Sequence, residues 1–128
     1  MSIGSWQPEP QSLNTLNHQQ IDPLLEKLAA DDESLAWLAE SLDWVEPLAK
    51  AEKKAWAELS IALETSQLIS LIRFFTRLEK EQNWDLGDKS PVIPLFKQLK
   101  KSEGLDRELV QWVKSHTNNK FLPFGPLL

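Results

Sequence analysis

Apolar residues follow a helical period along much of the chain and are densest between residues 66 and 82. At about 100° per residue, the large apolar side chains of SQLISLIRFFTRLEKEQ cover more than half of the helix circumference. A helix this apolar must be surrounded by other helices. The pattern therefore predicts a central helix with four almost fully buried residues: Leu71, Ile72, Phe75 and Leu78.

Three shorter helices are predicted before the central one. Asp22 and Pro23 are typical of an N-cap and first position, so the first helix is expected from Pro23 to about Ala30. An acidic cluster at 31–33 favours a second helix from about Glu33 to Val45, with a core stripe of Leu35, Leu38, Leu42 and Val45.

Pro47 is expected to open the third helix, which runs to about Glu64. Its apolar stripe is rotated by roughly 130° from that of the central helix on an ideal helix, which predicts a break between the two. The segment 64–66 supplies the N-cap there.

Two helices are predicted after the central one. A loop, WDLGDKSP, leads to a fifth helix that starts near Ser90 and Pro91 and stops at Gly104. Asp106 is expected to cap a sixth helix, DRELVQWVKSHT, with His116 toward the core.

The C-terminal residues FLPFGPLL are unusually apolar for a chain end. Pro123 and Pro126 are expected to hold them extended, with Phe121 and Phe124 as anchors in a groove of the same domain. The alternative is that a partner receives this segment as a linear peptide.

Together these elements predict an all-α fold, a compact bundle or array of about six short helices around a central apolar helix. We expect a mostly disordered N-terminal tail (1–20), a single helical domain (21–117) and an extended apolar tail (118–128) packed on that domain.

Charge divides the chain into two complementary halves. Residues 1–65 carry four Lys and Arg against twelve Asp and Glu, a net charge of −8, and residues 66–128 carry ten against seven, a net charge of +3. Acidic and basic helices can simply face one another, or a basic face can meet an acidic partner. We expect the stripe of Arg73, Arg77 and Lys80 to meet acidic residues of helices 1 to 3, within the chain or across a homodimer.

Six tryptophans beside one methionine and no tyrosine are a further unusual feature. Trp37 and Trp44 are seven residues apart and are therefore expected on one helix face. Two interpretations are open: the tryptophans form a packing surface inside the bundle, or they form an exposed patch that a partner protein covers. Cysteine is absent and no apolar run is long enough for a membrane span, so we expect a cytoplasmic protein without membrane association.

Residues that carry chemistry are sparse. The two histidines, His18 and His116, lie in the predicted tail and at a helix end, and the acidic loop at 85–88 lacks the spacing of a calcium site. We expect no metal, no cofactor and no catalytic residue. The prediction is a protein-interaction or regulatory module with an unknown protein partner, possibly a second copy of the chain. The alternatives are a nucleic-acid-associated protein that uses the basic half, and a small-ligand carrier or enzyme.

Overall fold

A computed structural model describes residues 16–30, 36–102 and 104–125, and within them the chain is helical and contains no strand. Its six α-helices are α1 (His18–Ala30), α2 (Leu38–Ala49), α3 (Lys53–Ser60), α4 (Thr65–Gln82), α5 (Val92–Lys101) and α6 (Arg107–His116). A short 3₁₀ turn, Gly87–Lys89, lies between α4 and α5. The predicted all-α fold is confirmed.

The predicted central helix is α4, which packs against α1, α5 and α6. Its side chains Leu71, Ile72, Phe75 and Leu78 have no solvent exposure, as expected. From α3, the buried Trp56 places its ring edge-on to Phe75, with 5.3 Å between ring centroids. Its indole N–H donates to the carbonyl oxygen of Leu48 at 2.9 Å, so this core tryptophan has no unsatisfied donor.

The break between the third and fourth helices is confirmed, because α3 ends at Ser60 and α4 begins at Thr65. The Gln67 side-chain oxygen accepts a hydrogen bond from the backbone N–H of Glu64 at 2.9 Å, an arrangement typical of a capping box. The change in stripe direction therefore marked a real interruption.

Two predicted helix starts are wrong, and both were placed at a proline. Helix α1 begins at His18, so Pro23 lies inside it. The reason is a reciprocal cap one turn earlier: the Asn17 N–H donates to Gln20 Oε1 at 2.8 Å, and the Gln20 N–H donates to Asn17 Oδ1 at 3.1 Å. This extra turn buries Ile21.

The second proline, Pro47, lies in the last helical turn of α2 and is not the first residue of α3. It is followed by Leu48 and Ala49, which are buried while still in α2, and this burial favours continuing the helix past the proline. The second helix begins at Leu38, and its predicted start near Glu33, with Leu35, lies outside the described residues.

The C-terminus of α5 and the N-terminus of α6 have the capping residues that the sequence predicts. The N–H of Gly104 donates to the carbonyl oxygen of Leu99 at 3.1 Å after α5 ends. A Cβ atom at Gly104 would lie 2.7 Å from side-chain carbons of Leu99 and Thr65, so a larger residue would require these side chains to shift. Asp106 caps α6 by accepting from the N–H groups of Glu108 and Leu109.

The expectations for His116 and for the chain end need correction. His116 is exposed and does not face the core. Its ring stacks on Trp112 of the same helix, and its Nδ1 forms a hydrogen bond with the Trp112 carbonyl oxygen at 2.7 Å. These contacts hold the ring against the surface of α6. Residues 120–124 form turns where an extended segment was predicted. Proline fixes only its own φ, and here the Gly125 N–H, at φ +90°, donates back to the Phe121 carbonyl oxygen at 2.6 Å. None of the described helices is long and apolar enough to cross a membrane.

Candidate functional site

The two tryptophans of the predicted interaction patch are both half-buried and pack against the core. The ring of Trp37 stacks on Phe74 of α4 with 5.7 Å between centroids, and the Lys27 ammonium group lies 5.8 Å from its centroid. Trp44 contributes to the same core from α2. Trp37 thus joins the segment before α2 to the central helix.

Two residues of the predicted basic stripe, Arg73 and Lys80, border different cavities, and the meeting of the stripe with acidic residues of helices 1 to 3 stays a prediction. Arg73 is exposed and its guanidinium group lies over the ring of Trp112, 5.1 Å from the centroid. The acidic residues that share a cavity with it are Asp106 and Glu108, at the start of α6 and not on helices 1 to 3. Arg77 is half-buried. Lys80, near the C-terminal end of α4, is exposed and lies beside a different cavity.

The aromatic residues of the C-terminal segment, defined here as residues 117–125, contact the helical bundle. Phe124 packs edge-on to Phe96 of α5 at 5.4 Å between centroids, and the ring of Phe121 lies next to Gly87. Leu122 between them is buried. Leu127 and Leu128, which were predicted to share in this packing, lie outside the described residues.

A groove of about 380 Å³ runs between α3 and α5. Lysine side chains flank it on both sides, with Lys53 and Lys54 on α3 and Lys97 and Lys101 on α5. Its apolar lining comes from Ala57, Ile61, Ile93 and Pro94, and the side chain of Ile61 is 70% exposed. We call this feature the lysine groove.

The lysine groove has a clear charge imbalance. Its four lysines face a single acidic residue, Glu58, which leaves a net charge of +3 along its lining. The sequence pattern places each of these lysines on the outside of its helix. The sequence pattern does not indicate that α3 and α5 are neighbours. The positive charge is concentrated only because these two helices pack against each other.

A second cavity, of about 360 Å³, lies where the C-terminal end of α4 meets the following loop and the C-terminal segment. Its most unusual lining residue is Glu79, whose side chain is only 3% exposed. The Ser90 hydroxyl group donates to Glu79 Oε2, whereas Oε1 has no hydrogen-bond partner among the described residues. We call this feature the Glu79 cavity.

Burial raises the pKa of the Glu79 carboxyl group to about 7, because the charged form loses its hydration. The hydrogen bond from Ser90 and the nearby Asn119 amide act in the opposite direction and only partly offset this effect. Ser90 is itself fixed, since its Oγ accepts the Val92 N–H at 3.2 Å at the start of α5. The carboxyl group is therefore held in place and can ionise near neutral pH.

The walls of the Glu79 cavity are rich in hydrogen-bonding groups. Asn83, Asp85 and Trp84 come from the end of α4 and the loop, and Thr117, Asn118 and Asn119 come from the C-terminal segment. The Asn119 amide donates to the Gly87 carbonyl oxygen at 2.8 Å, which joins residues 32 positions apart. This contact joins the C-terminal segment to the 3₁₀ turn between α4 and α5.

Sequence reasoning missed Glu79, although a signal was present. It lies four residues after Phe75 and seven after Ile72, so it continues the buried stripe of α4. A carboxylate on the apolar stripe of a central helix is rare unless it is paired.

Known proteins add no information on either feature. Comparison of the chain with protein-family models, curated proteins and solved structures gives no match. Within the described residues, no group of three or more His, Cys, Asp or Glu side chains is placed to hold a metal ion. A functional role must therefore be inferred from the geometry of the lysine groove and of the Glu79 cavity.

Proposed function

We propose that this protein is a protein-interaction module whose lysine groove receives an acidic, amphipathic segment of a partner protein. The observation that carries the proposal is the combination of an apolar lining with lysines on both sides. A helix or extended segment with acidic residues on its flanks and apolar residues in the middle has the complementary pattern.

Ile61 is the strongest indication of a protein partner. At 70% exposed, it is the most exposed large apolar side chain in the described part of the chain, and it lines the same groove as the lysines. Covering such a side chain contributes about 1.5–3 kcal/mol when burial is complete. The lysines add long-range attraction and orient the partner, an effect that weakens with salt.

Nucleic acid is the competing occupant, because phosphate groups would also pair with the lysines. A phosphate backbone offers nothing to Ile61 or Ala57, and the groove is lined by no aromatic side chain on which a base could stack. A sequence pI near 5.0 is also far from the basic character of a dedicated nucleic-acid binder.

The test uses a fluorescently labelled peptide with leucine and glutamate at helical spacing, and fluorescence anisotropy as the readout. We expect Lys97→Glu and Ile61→Ser each to weaken binding about tenfold, or ~1.4 kcal/mol. Lys100→Glu is the matched control, because Lys100 is exposed on the same helix but does not line the groove.

Three further measurements separate the alternatives. A peptide of the same composition in scrambled order should bind more weakly, since it keeps the charge and loses the apolar face. A single-stranded oligonucleotide that binds more tightly than the peptide, with no effect of Ile61→Ser, would support the nucleic-acid function. Sedimentation that shows a dimer lost in Lys97→Glu would identify the partner as a second copy of the chain.

A further inference from the structure

The solvent-facing side of α2 is acidic and is complementary in charge to the lysine groove. This helix contains three acidic residues and no basic one. Its exposed residues include Ala39, Glu40 and Asp43, which lie on the side opposite the core, and the half-buried Trp44 borders them. We call these four residues the acidic face of α2.

The charged groups of both surfaces are available to another molecule. Glu40 and Asp43 form no salt bridge with any residue in the described part of the chain, and neither does any of the four lysines of the lysine groove. The third carboxylate of α2, Glu46, is already paired with Lys50 at 2.6 Å. The acidic face therefore offers two negative charges to a groove whose lining has a net charge of +3.

The two surfaces lie near each other on the molecule. Helix α2 ends at Ala49 and α3 begins at Lys53, which is itself a lysine of the groove, so residues 50–52 alone connect them. The Trp56 indole of α3 donates to the Leu48 carbonyl oxygen of α2 at 2.9 Å, and this hydrogen bond fixes the two helix ends against each other. Because each copy of the chain carries both surfaces, a two-fold axis between two copies would repeat the same contact twice.

We propose that the partner of the lysine groove is a second copy of the chain, which places the acidic face of its α2 in the groove to form a symmetric dimer. This inference rests on the proposed function, because it names the acidic segment that the groove receives. In the dimer, Glu40 and Asp43 pair with lysines of the groove, and Trp44 covers the exposed Ile61.

The dimer is expected to be weak and to dissociate on dilution. The whole chain has a net charge of −5, so two copies repel each other at a distance and attract only where the acidic face meets the groove. The attraction is local, and exposed charge pairs each contribute little. Coverage of Ile61 must therefore supply much of the affinity.

The first test is sedimentation velocity of the unmodified full chain between ~10 μM and ~1 mM, where the sedimentation coefficient should rise toward that of a dimer. Asp43→Lys and Lys97→Glu should each weaken dimerisation at least about tenfold, because a symmetric interface contains each substitution twice. Asp22→Lys and Lys100→Glu are the matched controls. They make the same charge changes on exposed residues outside both surfaces and should leave the dimer unchanged.

A mixture of the two variants gives a sharper test. In a dimer with one copy of each, the unmodified acidic face of the Lys97→Glu chain meets the unmodified groove of the Asp43→Lys chain. The second contact brings together the two substituted positions, which again have opposite charges. We expect this mixed dimer to form about tenfold more tightly than the dimer of either variant alone. Circular dichroism of each variant checks that it is folded, and the concentration series on the unmodified chain tests the proposal without any substitution.

Several results would overturn the proposal. A chain that stays monomeric up to ~1 mM would exclude the dimer. If that monomer still binds the acidic peptide through Lys97 and Ile61, the proposed function stands and only the second copy is excluded. A dimer that is unchanged in Asp43→Lys would show that α2 is not the segment in the groove. A mixture of the two variants that dimerises no better than each alone would show that the acidic face and the groove do not meet.

Discussion

The buried carboxyl group of Glu79 makes the stability of the protein depend on pH. The perturbation we consider is Glu79→Gln, which removes the titration and keeps the side-chain volume. Because the pKa is raised from 4.5 to about 7, the folded state binds more protons than the unfolded state between these values. The contribution of Glu79 to stability is therefore complete below about pH 4.5 and is lost as the pH rises through 7.

The magnitude follows from the difference between the two pKa values. A shift of about 2.5 pH units corresponds to a total of about 3 kcal/mol at 1.36 kcal/mol per unit. Between pH 5 and pH 8, the free energy of unfolding of the unmodified chain should fall relative to Glu79→Gln by about 2.5 kcal/mol. In urea this corresponds to a relative shift of the unfolding midpoint by roughly 1–2 M.

The assay is urea unfolding at several pH values, followed by far-ultraviolet circular dichroism. Taking the difference between the two proteins cancels the other titrating groups, which both chains share. Glu81→Gln is the control, and its difference from the unmodified chain should change far less with pH, because Glu81 is exposed. A difference for Glu79→Gln that stays constant from pH 5 to pH 8 would refute the raised pKa and the reasoning from burial.

Three further predictions concern the fold. Phe75→Ala should lower the free energy of unfolding by about 3–5 kcal/mol, because the side chain is fully buried in the centre of α4. The measurement is unfolding in urea, and a loss below about 1 kcal/mol would contradict the central place of Phe75 in the core. Asp106→Ala should cost about 1 kcal/mol in the same assay, whereas Asp106→Asn, which can still cap α6, should cost less. Truncation after Thr117 should lower the melting temperature and increase dye binding, because it removes the buried Leu122 and uncovers Phe96. Unchanged stability together with loss of partner binding would instead support recognition of the C-terminal tail as a peptide.

The central helix could be predicted from the sequence because its evidence is local. Seven large apolar residues within eleven positions leave no helical arrangement in which most of them are exposed. The caps at Asp106 and Gly104 were predictable for the same reason, since their hydrogen bonds join neighbouring residues.

The prolines show where local signals fail. Proline is favoured at the first turn of a helix, but the interior of a helix accepts it when packing on both sides outweighs one lost hydrogen bond. Ile21 and Leu24 flank Pro23 and are buried, as are Val45 and Leu48 around Pro47. Only the tertiary packing shows this, so the predicted start of the first helix was too late in the sequence and that of the third too early.

The candidate sites depend on distant contacts and could be predicted only in part. The basic side chains of the lysine groove were identified one helix at a time, but the groove exists because α3 packs on α5. The Glu79 cavity requires Ser90 and the C-terminal segment to converge on the end of α4. The glutamate on the buried stripe was visible in the sequence, while its partners were not.

The lysine groove and the Glu79 cavity share no lining residue. Ile93, Lys97 and Lys101 recur at four-residue spacing and form the face of α5 toward the groove, whereas Ser90, just before the helix, holds Glu79. Substitution of the exposed Lys97 should therefore leave the pH dependence of stability unchanged. Equally, Glu79→Gln should leave peptide binding in the groove intact, because Glu79 does not line the groove.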